Sequence, residues 1–378
     1  MAADTHDLSR DRFMLVGGLA HKGYDWWWHS FTARHAKTGE ERAFFIEFFV
    51  VNPALGGSEP IFGMAPDGTR DGRMPSYLMV KCGTWGKGAK QLHRFFAWDE
   101  VELGKGVPYW VAADDCFASE GDLVGRVRVT SEDAAAHPEW MSDAGDIAFD
   151  LRLDKQITFN VGYGASEPVR STEAVQMFWH AEGVKCAYEG EVFLDGERYV
   201  VEPETCFGYA DKNWGRDFTT PWVWLASCDL TSRVSGERLE NSAIEIGGGR
   251  PKVGPVALNR KLLGVFHYEG KDYEFNFSKF WTLSGTKFDC EETEDEIHWH
   301  VVQTTATAKL DTRITCKKKD MLHINYEAPT GLKRHNRLWN GGNGTGVLKL
   351  YKRRFGKDIL IDEIVAENIG CEYGEYDK

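Results

Sequence analysis

None of the eight cysteines in this 378-residue chain lies within four residues of another. That spacing excludes a CxxC zinc site and a compact disulfide framework, so reduced thiols in the cytosol are expected. Long apolar runs are missing as well; none approaches the ~18 residues of a membrane-crossing helix. The segment Met1 to Arg12 is polar and lacks the apolar stretch of a secretory signal. A soluble, cytoplasmic protein with no integral membrane association is the expectation. Positive charge is in deficit. Lys and Arg number 45 against 58 Asp and Glu, for a net charge of −13. That argues against nucleic acid and anionic lipid surfaces as partners. No phosphate-binding loop is evident. The glycine-rich run Asn340 to Gly346 has no Lys-Ser/Thr after it and no following helix, and reads as a hairpin turn. No Gly-x-Ser-x-Gly elbow occurs. Helix signals are weak; Ser131 to His137 could form one or two turns, with Ser131 as cap and Pro138 as stop.

What the chain has in quantity is aromatic and glycine: 14 Trp, 13% aromatic residues and 40 Gly. That balance suits strands, tight turns and curved sheets. Ala43 to Val51 is an apolar run ended by Asn52-Pro53, and reads as a buried strand. Gly121 to Thr130 and Asp146 to Leu153 alternate apolar with polar. Gly190 to Val201 reads as a hairpin turning at Asp195-Gly196. Leu262 to Phe277 repeats the device, and Ile297 to Asp311, Met321 to Glu327, Thr345 to Lys352 and Asp358 to Ile364 are further strands. The expected fold is all-β, built from two antiparallel barrels or sandwiches packed together. Gly247 to Pro251 is the candidate linker, dividing the chain into 1–250 and 251–378. A short echo supports two related halves. Glu240 to Gly247 and Glu367 to Gly374 both read E-N-x-x-x-E-x-G.

Chemistry concentrates between Tyr209 and Trp224. Asp211, Lys212, Asn213, Trp214, Gly215, Arg216, Trp222 and Trp224 fall within that segment. Trp222 and Trp224 are at strand spacing, so both rings face one side. A carboxyl among aromatic walls resists ionisation and can serve as a general acid. Nearby indole faces can stabilise a developing cation. The alternative is that Asp211 forms an ion pair with Lys212 or Arg216 while the tryptophans fill a core. A second constellation is Tyr24, Trp26, Trp27, Trp28 and His29, with Glu47 on the next strand. Three consecutive tryptophans cannot all face one side of a strand. His29 and Glu47 would form an acid/base pair if their side chains meet. A third is His298 and His300, whose spacing can bind a metal if His267, His323, His335 or a carboxylate completes the set. The acidic stretch Glu291 to Glu296 favours a solvated hairpin instead, and no metal is assigned.

The Asp211-Lys212-Asn213-Trp214-Gly215 block, with Phe218, Pro221, Trp222 and Trp224 after it, resembles the tocopherol cyclase family. That family carries an acidic residue, then Lys-Asn-Trp-Gly, then Phe, Pro and a Trp-x-Trp strand. This chain departs from the pattern in having Asp211 where Glu is commoner, and Thr219 and Thr220 between Phe218 and Pro221. The Gly190–Val201 hairpin, the Gly23 to Trp28 stretch and the closing Gly370 to Gly374 are also similar. The resemblance implies a lipocalin-like double barrel related to carotenoid hydratases and fungal decalin-forming cyclases. It further implies acid-assisted cyclisation, isomerisation or hydration of a hydrophobic small molecule in a Trp-rich pocket, with no cofactor. Asp211 would then be the acid and Asn213 would orient substrate or water, with His29 and Glu47 as further candidates. Tyr24, Trp26, Trp28, Trp214, Trp222 and Trp224 would line the pocket. The other readings are a carrier or sensor of a lipophilic ligand, and an aromatic interface in a homo-oligomer.

Overall fold

The computed structural model describes residues 8–375, except 66, 68, 70–71, 160–175, 251, 254–255, 258–260, 278 and 333. The side chains of 252–253, 256–257, 280 and 334–336 also lie outside that description, and with them the candidate ligand His335. The chain is all-β, and its main sheets are antiparallel. One has twelve strands and the other eleven. The first runs from Lys90–Phe96 through Tyr77–Thr84, Glu41–Val51, Tyr24–His35, Glu197–Val201, Met177–Leu194, Gly145–Phe159 and Asp122–Val129 to three short edge strands. Gly208–Gly215 pairs with both Tyr24–His35 and Met177–Leu194, filling the gap where Glu197–Val201 ends. The second sheet runs from Lys271–Phe275 through Lys261–Tyr268, Ala243–Gly249, Trp222–Ser227, Lys357–Gly374, Arg334–Arg354, Ala308–Lys317 and Glu296–Thr304 to Gly285–Glu292.

The changeover between sheets therefore falls between Gly215 and Trp222. The run Gly247 to Gly249, read as a linker, is the end of a strand that pairs with Trp222–Ser227 on one side and Lys261–Tyr268 on the other. Its glycines serve packing. A Cβ on Gly247 would lie 2.4 Å from the Trp179 ring, so only glycine admits that indole. The Asn340–Gly346 run, read as a turn, lies inside the Arg334–Arg354 strand, with register shifts at Gly341, Gly344 and Gly346. Gly342 faces Trp85 so closely that a Cβ would meet its ring at 2.3 Å. The short helix forms at Ser131–Ala136, but its cap is Thr130, whose hydroxyl accepts from Asp133 N at 3.0 Å.

Three apolar cores follow from strand alternation. On Glu41–Val51, Phe44, Ile46, Phe48 and Val50 join the core inside the first sheet. Phe45, Phe49 and Val51 join a core shared by both sheets. That is why the run is apolar without alternation: both faces are covered. Trp222 and Trp224 contribute to the shared layer, while Val223 and Leu225 enter the core of the second sheet. Among the described residues no helix is long and apolar enough to cross a membrane.

Candidate active site

Register decides which candidate residues meet. Trp26 lies opposite Asn213, Trp28 opposite Asp211, and Trp28 also opposite Glu47. Directly opposed residues share a face of the sheet. Tyr24, Trp26, Trp28, Glu47, Asp211 and Asn213 therefore all face the layer between the sheets. Trp222 and Trp224 meet them from the second sheet. Tyr24, Trp26, Phe49, Phe218 and Tyr326 make a stacked wall, with Tyr24 4.4 Å from Phe218 and Trp26 5.2 Å from Tyr326 between ring centroids.

Trp214 and His29 are elsewhere. Along Gly208–Gly215, Tyr209, Asp211 and Asn213 face one way, and Ala210, Lys212 and Trp214 the other. Trp214 stacks on Phe178 at 5.5 Å and pairs with Asp25. It does not line the layer with Asp211. His29 lies opposite Ile46, one residue out of step with Glu47, so the two point to opposite faces. The expected His29–Glu47 pair does not form. His29 contacts the Tyr188 hydroxyl at 2.9 Å inside the first sheet, and burial lowers its pKa to about 3. It is a neutral imidazole at physiological pH. Glu47 instead pairs with the equally buried Lys81 at 3.0 Å. Lys81 Nζ also lies 3.6 Å from the Tyr326 ring centroid. His298 and His300 contact Thr315 and Asp311 at 3.0 Å each, and no metal-binding group of three occurs among the described residues.

Asp211 has no ion-pair partner among the described residues. Lys212, its chain neighbour, points to the opposite face and pairs with Asp25 there. Trp179 Nε1 donates to Asp211 Oδ2 at 2.8 Å, and the Tyr209 hydroxyl lies 3.0 Å from the same oxygen. Burial raises the Asp211 pKa to about 7, against the stabilising hydrogen bonds of Trp179, Tyr209 and, more weakly, Trp26. The residue keeps 7% of its surface accessible, whereas Asn213 and Glu245 keep none. Its Oδ1 has no hydrogen-bond partner among the described residues, and neither do Asn213 Nδ2, Glu245 Oε2 and Trp28 Nε1. Tyr24 donates to Asn213 Oδ1 at 2.8 Å, which fixes the amide with its N–H groups away from Tyr24. Buried polar atoms are normally satisfied, so this group of spare donors and acceptors is suited to a polar function on a ligand.

Two further acids come from the second sheet. Glu245 contacts the Tyr209 hydroxyl, and burial holds its carboxyl well above the usual range. Glu372 accepts from Trp222 Nε1 at 2.6 Å and from Asn340 Nδ2 at 2.5 Å. Trp85 Nε1 donates to Asn340 Oδ1 at 2.7 Å, which turns the amide nitrogen toward Glu372. Burial raises Glu372 to about 7, with Asn340 and Trp222 opposing and the Asp211 and Glu47 charges adding. Sequence reasoning missed Glu245, Glu372, Tyr209, Trp179 and Lys81. One signal was present, because Glu245 and Glu372 occupy the same position of the E-N-x-x-x-E-x-G echo. Both flank the Trp222–Ser227 strand.

Two antiparallel sheets enclosing an aromatic layer with buried acids, of which Asp211, Glu245 and Glu372 have no cation beside them among the described residues, define the class of protein. A profile of the tocopherol cyclase-like family matches residues 161–375, more than half of the chain, and the chain belongs to that family. No curated protein matches it. Among solved structures it is similar to a protein provisionally designated AttH from Nitrosomonas europaea, with TM-score 0.48 and 11% identity over 100% of this chain and 98% of that one. Kievitone hydratase from Nectria haematococca gives TM-score 0.48 and 11% identity over 96% and 94%. CghA with Sch210972 gives 0.44 and 11% over 94% and 89%.

Proposed function

We propose that this protein is an enzyme that cyclises, isomerises or hydrates a hydrophobic small molecule by acid catalysis in the layer between its sheets. The observation that carries the reading is Asp211, a carboxyl buried in the aromatic layer with no cation beside it among the described residues, its Oδ1 without a hydrogen-bond partner there and its pKa raised by burial to about 7. A carboxyl in that condition is protonated at neutral pH often enough to deliver a proton, and Brønsted behaviour favours an acid whose pKa is near the working pH. Protonation of a carbon–carbon double bond would leave a cation, which the faces of Trp26, Trp28, Trp222 and Trp224 can stabilise. The conjugate base stays in place because Trp179 and Tyr209 hold Oδ2. Asn213, its amide oriented by Tyr24, would position a substrate oxygen or a water through Nδ2. The family's name points to cyclisation; this set of residues serves cyclisation, isomerisation and hydration alike.

Native mass spectrometry of freshly purified protein, with the released molecule identified, supplies the substrate or product class. Turnover of that molecule by the wild type, lost in Asp211→Asn, is the expected result. Full turnover by Asp211→Asn overturns the acid role. Tight binding with no chemistry in the wild type assigns the protein as a carrier.

A further inference from the structure

Hydrogen counting around Tyr209 carries an inference beyond Asp211 itself. The Tyr209 oxygen accepts from Trp224 Nε1 at 3.1 Å. It also lies within hydrogen-bond reach of Asp211 Oδ2 and of Glu245 Oε1. A phenol has one hydrogen to give, and an ionised carboxylate can only accept. If both acids were ionised, one of the two oxygen–oxygen contacts would hold no hydrogen and be repulsive. One acid must therefore carry a proton toward the Tyr209 oxygen. The Asp211 oxygen that faces Tyr209 has a second donor in Trp179, whereas Glu245 has besides Tyr209 only a weaker contact from Trp224, whose N–H is already directed at the Tyr209 oxygen. The deficit is relieved best when Glu245 is the protonated partner.

We infer that Glu245 is a proton reservoir that resupplies Asp211 through the Tyr209 hydroxyl. The inference rests on the reading of Asp211 as the acid. Asp211 loses the hydrogen on Oδ1 as a C–H bond forms on the substrate. Tyr209 then passes its hydroxyl hydrogen to Asp211 Oδ2, and Glu245 passes its own to the Tyr209 oxygen. The negative charge ends on Glu245, and Asp211 is neutral again. The proton that the substrate cation sheds on ring closure, or the one released when water adds, returns to Asp211 Oδ1; the hydrogen on Oδ2 then passes back to the Tyr209 oxygen and the Tyr209 hydroxyl hydrogen to Glu245, which restores the starting state. No oxidant, metal or second substrate is required. Glu245 acts through Tyr209, so it is a positioning residue and not a catalytic one. Glu47, neutralised by Lys81, is the other charged group that faces Asp211 from the first sheet, and Glu372 faces it from the second.

The test is infrared difference spectroscopy of the full chain at pH 8, read in the C=O stretch of protonated carboxyls. It needs no substrate, so its outcome is separate from whether Asp211→Asn abolishes turnover. Wild type minus Glu245→Gln is expected to show the loss of one protonated carboxyl, while Glu47 and Glu372 contribute equally to both spectra and cancel. Wild type minus Asp211→Asn is expected to show no loss of the Glu245 band, because that band is present in both proteins and cancels. Tyr209→Phe removes the acceptor of the Glu245 proton, so the band should move to higher frequency; this variant decides the matter if Glu245→Gln fails to fold. No band lost in Glu245→Gln, or no band shift in Tyr209→Phe, overturns the inference.

Discussion

The two faces of one strand show two ways of burying charge. Along Gly208–Gly215, Lys212 points into the first sheet and Asp211 points out toward the second. On the inner face the acids gather on lysines, one of which serves three of them. Lys212 pairs with Asp25, and burial raises Asp25 to about 6 against the pull of that lysine. Nearby, Lys155 gathers Asp11 at 3.1 Å, Glu120 at 2.5 Å and Glu182 at 2.8 Å. On the outer face, among the described residues, Glu47 alone of these acids has a lysine. Asp211, Glu245 and Glu372 are held by indoles, a phenol and an amide. A neutral donor fixes a carboxyl in place without forcing it to stay ionised. A cation fixes it and favours its charged form against the opposing effect of burial. The inner face is thus suited to holding the sheet together, and the outer face to exchanging protons.

Four substitutions sharpen or break that contrast, and the largest effect belongs to the inner face. Asp25→Ala leaves Lys212 buried without its counter-charge, which should cost about 3–5 kcal/mol of stability in urea unfolding. A loss under about 1 kcal/mol would mean that the pair is not structural. On the outer face, Asp211→Asn should lower turnover about 10²- to 10⁴-fold, the usual worth of a general acid. The fold should persist, because asparagine is isosteric.

The same variant carries a pH signature. The folded Asp211 pKa of about 7 lies above its ordinary 3.8. The native state therefore binds the extra proton between those values. Its contribution to stability is fully present below the ordinary pKa and is lost as pH rises through about 7. Stability of the wild type should fall across that window, and Asp211→Asn should flatten the fall. Wild-type activity should likewise decline above about pH 7, because only the protonated acid donates. An activity that rises through pH 7 would contradict the assignment.

Trp179→Phe is intermediate. It removes the indole N–H from Asp211 Oδ2 and keeps most of the packing. A hydrogen bond to a charged group is worth about 1.5–3 kcal/mol, so the alkaline limb of the activity profile should move up by about one to two units. An unmoved limb would detach Trp179 from the acid. The smallest effect is expected at the His298/His300 pair. His298→Ala should change stability by under about 0.5 kcal/mol and leave activity and metal content unchanged. Zinc lost on that substitution would reopen the metal reading.

Strand alternation was legible in the residues themselves. Asp211 and Asn213 share a face, as do Trp222 and Trp224, because side chains repeat every two residues along a strand. The same parity excludes Trp214 from the face of Asp211. It also requires one of Trp26, Trp27 and Trp28 to turn away, and Trp27 is the one that packs inside the first sheet. What alternation does not supply is register between strands. A shift of one residue would have placed His29 beside Glu47, and nothing local in either strand forbids it. The division of the chain shows the same limit. Gly247 to Gly249 has the composition of a linker, but its lack of side chains makes room for the Trp179 ring.

Residue types and their spacing therefore determined an all-β chain, its aromatic strands and the acid in the Asp211 motif. Tertiary structure decided that Asp211 faces the second sheet without a cation, and that Trp179, Tyr209, Glu245 and Glu372 converge around it. Those partners are contributed by separate strands of both sheets. Which of them meet depends on hydrogen-bond register and on how two sheets pack, and both are settled by burial summed over the whole fold.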